Sequence, residues 1–189
     1  MRRYVLTGAP GAGKTSIARA LRQRGFPVVD EAATDVIAAE QARGVAQPWA
    51  EPGFVEAVAR LQRRRRIAET RGPVQVHDRS PLCTLALAEH LGHPIGLALA
   101  TELAQARREE IYERPVFLVG SLGFVTRTAA RRISLADALA FGRLHARVYV
   151  EHGHELVDVP PGPVAQRAAF VAAHLNPRLR EGPDPVNLT

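Results

Sequence analysis

Apolar residues in this chain alternate between short unbroken runs and longer stretches that repeat every three or four positions. Tyr4-Val5-Leu6 is a run of the first kind and stops at a glycine-rich turn, as a buried strand does. Residues 14–24 place Ile17, Ala18 and Leu21 on one helical face, and Gly25 closes that helix. Phe26–Val29 then predicts a second strand, Glu31–Gln41 a helix, 44–53 a loop with Pro48 and Pro52, and Phe54–Arg71 a longer helix. Pro73–His77 reads as a third strand, Pro81–Leu91 and Ile95–Tyr112 as helices, and Arg114–Val119 as a fourth strand. A charged loop over 120–132 leads to the helix Leu135–Glu151, the strand Glu155–Val159 and the helix Val164–Leu175. The polar, proline-containing stretch 177–189 predicts a flexible tail after a single domain over 1–176. Strands alternating with helices predict an α/β fold, a three-layer arrangement with a five-stranded parallel sheet. Ligands of such sheets lie at the carboxyl ends of the strands.

Composition narrows the function classes. Hydrophobic residues make up 46% and charged residues 23%, as in an ordinary globular protein. The net charge of +6 admits a polyanionic partner, but acidic residues are interleaved throughout and aromatic residues are only 5%, which leaves few platforms for stacking bases. A phosphate-rich small ligand explains a basic cleft as well as a nucleic acid does. The four consecutive arginines 63–66 point about 100° apart around their helix and so form no single patch. One cysteine, Cys83, excludes an internal disulfide and a cysteine metal cluster, and it reads as a small apolar helix residue. The seven histidines have no metal-ligand spacing. No apolar run approaches the roughly 20 residues of a membrane span, and Met1-Arg2-Arg3 is followed by no secretory apolar region, so a cytoplasmic location is expected.

Gly8-Ala9-Pro10-Gly11-Ala12-Gly13-Lys14-Thr15 fits the phosphate-loop pattern G-x-x-x-x-G-K-[ST] without a mismatch, between a predicted strand and a predicted helix. In this motif backbone N–H groups turn inward around a β-phosphate, and the helix N-terminus adds its partial positive charge. Lys14 would neutralise β- and γ-phosphate oxygens, the Thr15 hydroxyl would hold Mg²⁺, and Ser16 is placed to reach the α-phosphate. Lys14 is also the only lysine; every other basic residue of the Lys+Arg set is an arginine. A compact ammonium kept at one position in so arginine-biased a chain points to a need for it there. The fold expected is therefore a P-loop NTPase fold that binds a nucleoside triphosphate.

The other strand ends refine this. Guanine selection through an Asn-Lys-x-Asp segment is excluded, because the one lysine is in the loop, so ATP is expected rather than GTP. The third strand ends Val76-His77-Asp78-Arg79-Ser80. Asp78 can assist Mg²⁺ binding, and Arg79 puts a cation beside transferring phosphate where a motor ATPase would carry a water-activating glutamate. Asp78 or Ser80 could equally cap the helix that begins at Pro81. At the second strand end, Glu31 could accept the proton of an attacking hydroxyl, or simply favour a helix N-terminus. Asp30 is the rival base, and Asp35 shares the predicted helix face of Glu31. In Thr126–Arg132, Arg127 and Arg131 could close over the phosphates as a lid. Trp49 and Phe54 could stack a ring or pack their loop on the core.

The run Tyr4–Arg24, followed by Gly25-Phe26-Pro27-Val28-Val29-Asp30-Glu31-Ala32-Ala33, resembles the AAA-like P-loop domain of the ribosylnicotinamide-kinase (NadR-like) type. The likeness continues through His77-Asp78-Arg79-Ser80 and returns at Tyr149, His152–Pro160, Val164 and Arg167, so it covers nearly the whole chain. The Asp-Arg-Ser step is also similar to deoxynucleoside kinases, which implies a base role for Glu31 and a phosphate-handling role for Arg79. The chain departs from the family in Thr128-Ala129-Ala130 after Arg127, where an acidic residue is usual. The leading expectation is an ATP-dependent, Mg²⁺-requiring kinase acting on a small-molecule hydroxyl; the alternatives are a nucleotide-binding regulator or weak NTPase, and a nucleic-acid kinase suggested by charge alone. A kinase should show a second pocket beside the γ-phosphate site, walled by Glu31, the loop 44–54 and Arg79.

Overall fold

A computed structural model describes residues 1–69, 71–123 and 133–175. The lid candidates Arg127 and Arg131 and the tail 177–189 lie outside the described residues. Five parallel strands run in the order β2-β3-β1-β4-β5, with β1 (Arg2–Thr7) at the centre. It pairs with β3 (Val74–Asp78) on one side and β4 (Pro115–Val119) on the other. β2 (Val28–Val29) and β5 (Glu155–Val159) form the edges.

Period-two alternation in a doubly covered sheet makes both faces apolar. On one face Tyr4 and Leu6 pack with Ile17 and Leu21 of α1 (Lys14–Gln23) and Val171 and Leu175 of α7 (Val164–Leu175). On the other, Val5 packs with Leu82 and Ala86 of α4 (Pro81–Leu91) and Phe141 and Val148 of α6 (Leu135–Glu151). A further cluster joins α4 to α2 (Ala33–Ala42), α3 (Phe54–Ala68) and α5 (Leu97–Arg108) through Val36, Ile37, Phe54, Val58, Ala88 and Leu99. None of the described helices is long and apolar enough to cross a membrane.

Several boundaries differ from the periodicity, each for a local reason. The second strand starts only at Val28, because Phe26 N–H bonds back to Leu21 O of α1 and Pro27 has no N–H to give a ladder. α2 begins at Ala33, so Glu31 precedes the helix and does not share a helical face with Asp35. α5 begins at Leu97 rather than Ile95, and its start is set from another helix: the Glu56 carboxylate accepts from Ala98 N and Leu99 N at 2.8 and 3.1 Å. Gly96 leaves room for this, since a Cβ there would sit 2.5 Å from Glu56 Cδ. The predicted loop 44–53 contains a 3₁₀ turn, Pro48–Ala50, tied down by His93 Nε2–H donating to Trp49 O at 2.8 Å. The arginine run disperses as expected: Arg64 is exposed, and the other three tie α3 to other elements. Arg63 and Arg66 both reach Glu102 of α5, at 3.2 and 2.9 Å, and Arg66 is only 8% exposed. Arg65 holds the carbonyls of Asp30 and Glu31 and pairs with Asp35.

Candidate active site

At the carboxyl end of the sheet, β1 gives way to the loop Gly8–Gly13, and α1 begins at Lys14. Gly8 has φ +124°, and a Cβ on it would lie 2.6 Å from Val119 O, so the loop leaves β1 against β4 at a distance only glycine permits. Gly11 and Gly13 are left-handed as well, which turns the loop around its own centre. Lys14 folds back over this loop, its Nζ donating to Gly8 O and Ala9 O at 3.0 and 2.8 Å. Pro10, Gly11, Gly13, Thr15 and Ser16 face the adjoining cleft, and Ala12 lies beneath them in the core. From α7, Arg167 donates to Ala12 O at 2.7 Å and Gly120 O at 2.9 Å, bracing the loop against the end of β4.

Four side chains from three elements meet opposite the loop. Thr15 Oγ1 donates to Asp78 Oδ2 at 2.8 Å. The other carboxylate oxygen, Oδ1, is buried and has no hydrogen-bond partner among the described residues. An unpaired buried carboxylate oxygen beside an exposed threonine hydroxyl is the oxygen-rich donor set that suits Mg²⁺, so these two residues fit the ion that accompanies a nucleoside triphosphate. Asp78 does not cap α4; Ser80 does, its Oγ accepting from Leu82 N at 3.2 Å. Arg79 has φ +82°, a left-handed backbone that costs an arginine on the order of 1–3 kcal/mol and is held only where surroundings enforce it. Its Nε donates to Glu31 Oε1 at 2.5 Å and its Nη1 contacts His145 Nε2 at 3.0 Å. Thr34 Oγ1 donates to the second Glu31 oxygen at 2.8 Å. Asp30, by contrast, is exposed and receives Arg22 on both oxygens at 2.8 Å, away from this group.

The electrostatics follow from burial and from this crowding. Burial, with Arg79 adding repulsion, lowers the Lys14 ammonium to about 7. Burial alone would raise Glu31, but Arg79 and Lys14 outweigh it and bring the carboxyl down to about 2. Asp78 goes the other way: burial and the nearby Glu31 charge raise it. Burial works against the charge on Arg79, and Glu31 beside it holds the guanidinium protonated. The two carboxylates thus have distinct characters, Glu31 firmly ionised and Asp78 the more readily protonated.

These groups open on one cleft of about 630 Å³ that runs from the phosphate loop to a wall built by α2, α3, α4 and α6. Beyond Glu31 and Arg79 it is lined by Ile37, Trp49, Phe54, Val58, Leu87 and Phe141, with Gln62 and Thr84 between them. Phe54 is core and wall at once, and partly buried Trp49 packs on the same cluster. Three contributors lay outside the sequence reading. Gln62 donates to Ser80 O and accepts from Thr84, joining α3 to α4. Arg167 was visible only as a family-like residue without a role. His145 sits between Phe141 and Tyr149 at four-residue spacing on α6, so a polar residue on an apolar stripe was the one signal available. Among the described residues there is no cluster of three or more His, Cys, Asp or Glu side chains able to hold a metal.

The fold is shared with solved structures. NadR in complex with NR superposes with a TM-score of 0.64 at 16% identity, over 92% of this chain and 51% of NadR. The chain therefore spans about half the length of that protein. Deoxyadenosine kinase from M. mycoides with bound dATP superposes with a TM-score of 0.57 at 13% identity, over 92% of this chain and 99% of the kinase. At such identities these likenesses show the fold. No curated protein matches the sequence. A family model does, from residue 3 through residue 167, which takes in the phosphate loop, the Asp78–Ser80 strand end and the Arg167 brace: the chain belongs to the AAA domain family that this model describes.

Proposed function

We propose that the protein is an ATP-dependent kinase that transfers the γ-phosphate to a hydroxyl of a small molecule. The observation that carries this reading is the cleft itself, which continues past the phosphate loop along Glu31, Arg79 and, from the 44–54 loop, Trp49 and Phe54. That added space beside the phosphate loop is room for an acceptor, which favours a kinase over a regulator. A deoxyadenosine kinase is among the solved structures that share the fold.

In the proposed reaction Lys14 and the loop N–H groups hold the triphosphate. Thr15 and Asp78 would hold Mg²⁺, which neutralises β- and γ-phosphate oxygens when bound. The acceptor hydroxyl oxygen forms a bond to the γ-phosphorus as the bond to the β,γ-bridging oxygen breaks; ADP leaves, and the hydroxyl proton passes to the Glu31 carboxylate. Such a transition state is loose, so a carboxylate as weakly basic as Glu31 suffices, its main work being to orient the hydroxyl. As γ-phosphate enters, Arg79 gains a second anion to bind, which loosens its hold on Glu31.

The test is a screen of hydroxylated metabolites for acceptor-dependent ATP consumption, with product mass increased by one phosphoryl group. Glu31→Gln should keep Mg·ATP affinity and lose about 10²–10⁴-fold in transfer, nearer the lower figure for a loose transition state. Nucleotide binding without transfer to any acceptor, or full transfer by Glu31→Gln, would sink the proposal.

A further inference from the structure

Among the buried polar groups that the mechanism above leaves unused, one touches Arg79. His145 is 0% exposed, at the middle of α6, with the Phe141 ring tilted against it at 4.3 Å between centroids. We infer that His145 is a positioning residue for the transfer: its Nε2 lone pair accepts a hydrogen bond from Arg79 Nη1 and, with Glu31 on the Nε edge, aims the guanidinium at the incoming phosphate. The inference rests on the kinase reading in that phosphate transfer is what the aim serves.

The chemistry of the pair fixes the histidine state. Arginine stays protonated and has no acceptor, so a 3.0 Å contact to Nε2 requires that nitrogen to carry a lone pair. The ring proton then resides on Nδ1, and Phe141 O lies 2.8 Å from Nδ1 to receive it. The carbonyl four residues back on the helix thus sets the tautomer that Arg79 needs. Burial and the neighbouring Arg79 charge keep the ring neutral. Arg79 needs such help. Its backbone is in the left-handed region, and a guanidinium on a strained turn is placed only if several anchors agree. Three do: its N–H bonds to Leu6 O at 3.2 Å, its Nε to Glu31 and its Nη1 to His145. When phosphate competes for the Glu31 edge, His145 is the side-chain anchor that remains.

Two variants separate positioning from space-filling. His145→Gln keeps an acceptor at the reach of Nε2, whereas His145→Leu keeps bulk and loses it. For γ-phosphate release, to water or to an acceptor, His145→Leu should lower kcat by about 10- to 10²-fold, the scale of a group displaced by about 1 Å, with Mg·ATP affinity preserved. His145→Gln should recover most of that loss. Independently of turnover, ¹⁵N NMR of the unmodified protein at neutral pH should show His145 as the neutral Nδ1–H tautomer. An Nε2–H tautomer, an imidazolium, or equal kcat in both variants and the unmodified protein would overturn the inference. If His145→Leu does not fold, the tautomer and the His145→Gln rate still decide the matter. The expected tautomer in a protein that transfers phosphate to nothing would reject the kinase reading alone and leave the hold on Arg79 standing.

Discussion

Nucleotide binding should draw a proton from solution at mildly alkaline pH, and the proton should go to Lys14. This ammonium is 6% exposed, donates to two carbonyls and faces Arg79; burial and that repulsion outweigh the nearby Asp78 and Glu31 carboxylates and lower it to about 7 from an ordinary value of 10.5. At pH 8 about one site in ten is then protonated. A triphosphate, with several negative charges within reach of Nζ, returns the group to full charge, so binding takes up about 0.9 proton at pH 8 and about 0.1 at pH 6. Titration calorimetry of Mg·ATP in buffers of differing ionisation enthalpy reads the uptake as a slope. The same shift has a stability side. A folded value below the unfolded one means that the unfolded chain binds the extra proton between pH 7 and 10.5, so Lys14 destabilises the empty fold. That cost is about 4–5 kcal/mol at pH 7 and below, and it disappears as pH rises through 10.5. Lys14→Met should accordingly melt higher than the unmodified protein without nucleotide at pH 7, while losing the ligand. A buffer-independent binding enthalpy at pH 8, together with no gain in melting temperature for Lys14→Met, would show that Lys14 is already charged in the empty cleft and refute the reasoning.

Other outcomes follow from the same geometry. Lys14→Arg should lose productive turnover by on the order of 10³-fold, because a planar fork does not fit a loop closed around an ammonium; steady-state ATP consumption checks it. Asp78→Asn should weaken Mg²⁺-dependent nucleotide binding by calorimetry with little effect on the start of α4, whose cap is Ser80. Glu56→Ala should cost about 0.5–2 kcal/mol by chemical denaturation, the loss of a cap on α5, and leave Mg·ATP affinity unchanged.

Much of this architecture is legible in the chain because each strand is a short apolar run and each helix a periodic one. The parallel sheet, the loop before Lys14 and the helices Pro81–Leu91, Leu135–Glu151 and Val164–Leu175 come straight from that alternation. What stays hidden depends on partners remote in sequence. Nothing near Leu97 says that Glu56 will start α5, and nothing near Asp30 says that Arg22 will claim it and leave Glu31 at the cleft. The arginines of α3 read only as forming no single patch, because periodicity gives direction but not what waits there, and Glu102 waits there for two of them. A histidine on an apolar stripe is equally mute until Arg79 is folded against it.

The Arg167 brace ties the order of synthesis to the order of assembly. It reaches back 155 positions to Ala12, and its second bond goes to Gly120, so the phosphate loop is finished by a residue made long after it. The central strand obeys the same schedule, since β1 waits for β3 and β4 before it has neighbours on both sides. Long-range closures of this kind come late and slowly. A nascent chain on the ribosome therefore carries the phosphate-loop motif well before α7, and the Arg167 brace on that loop forms only once α7 has emerged. On the proposed function, a nucleotide would then act as a seal on a chain already assembled through α7, not as a template around which the early segments fold.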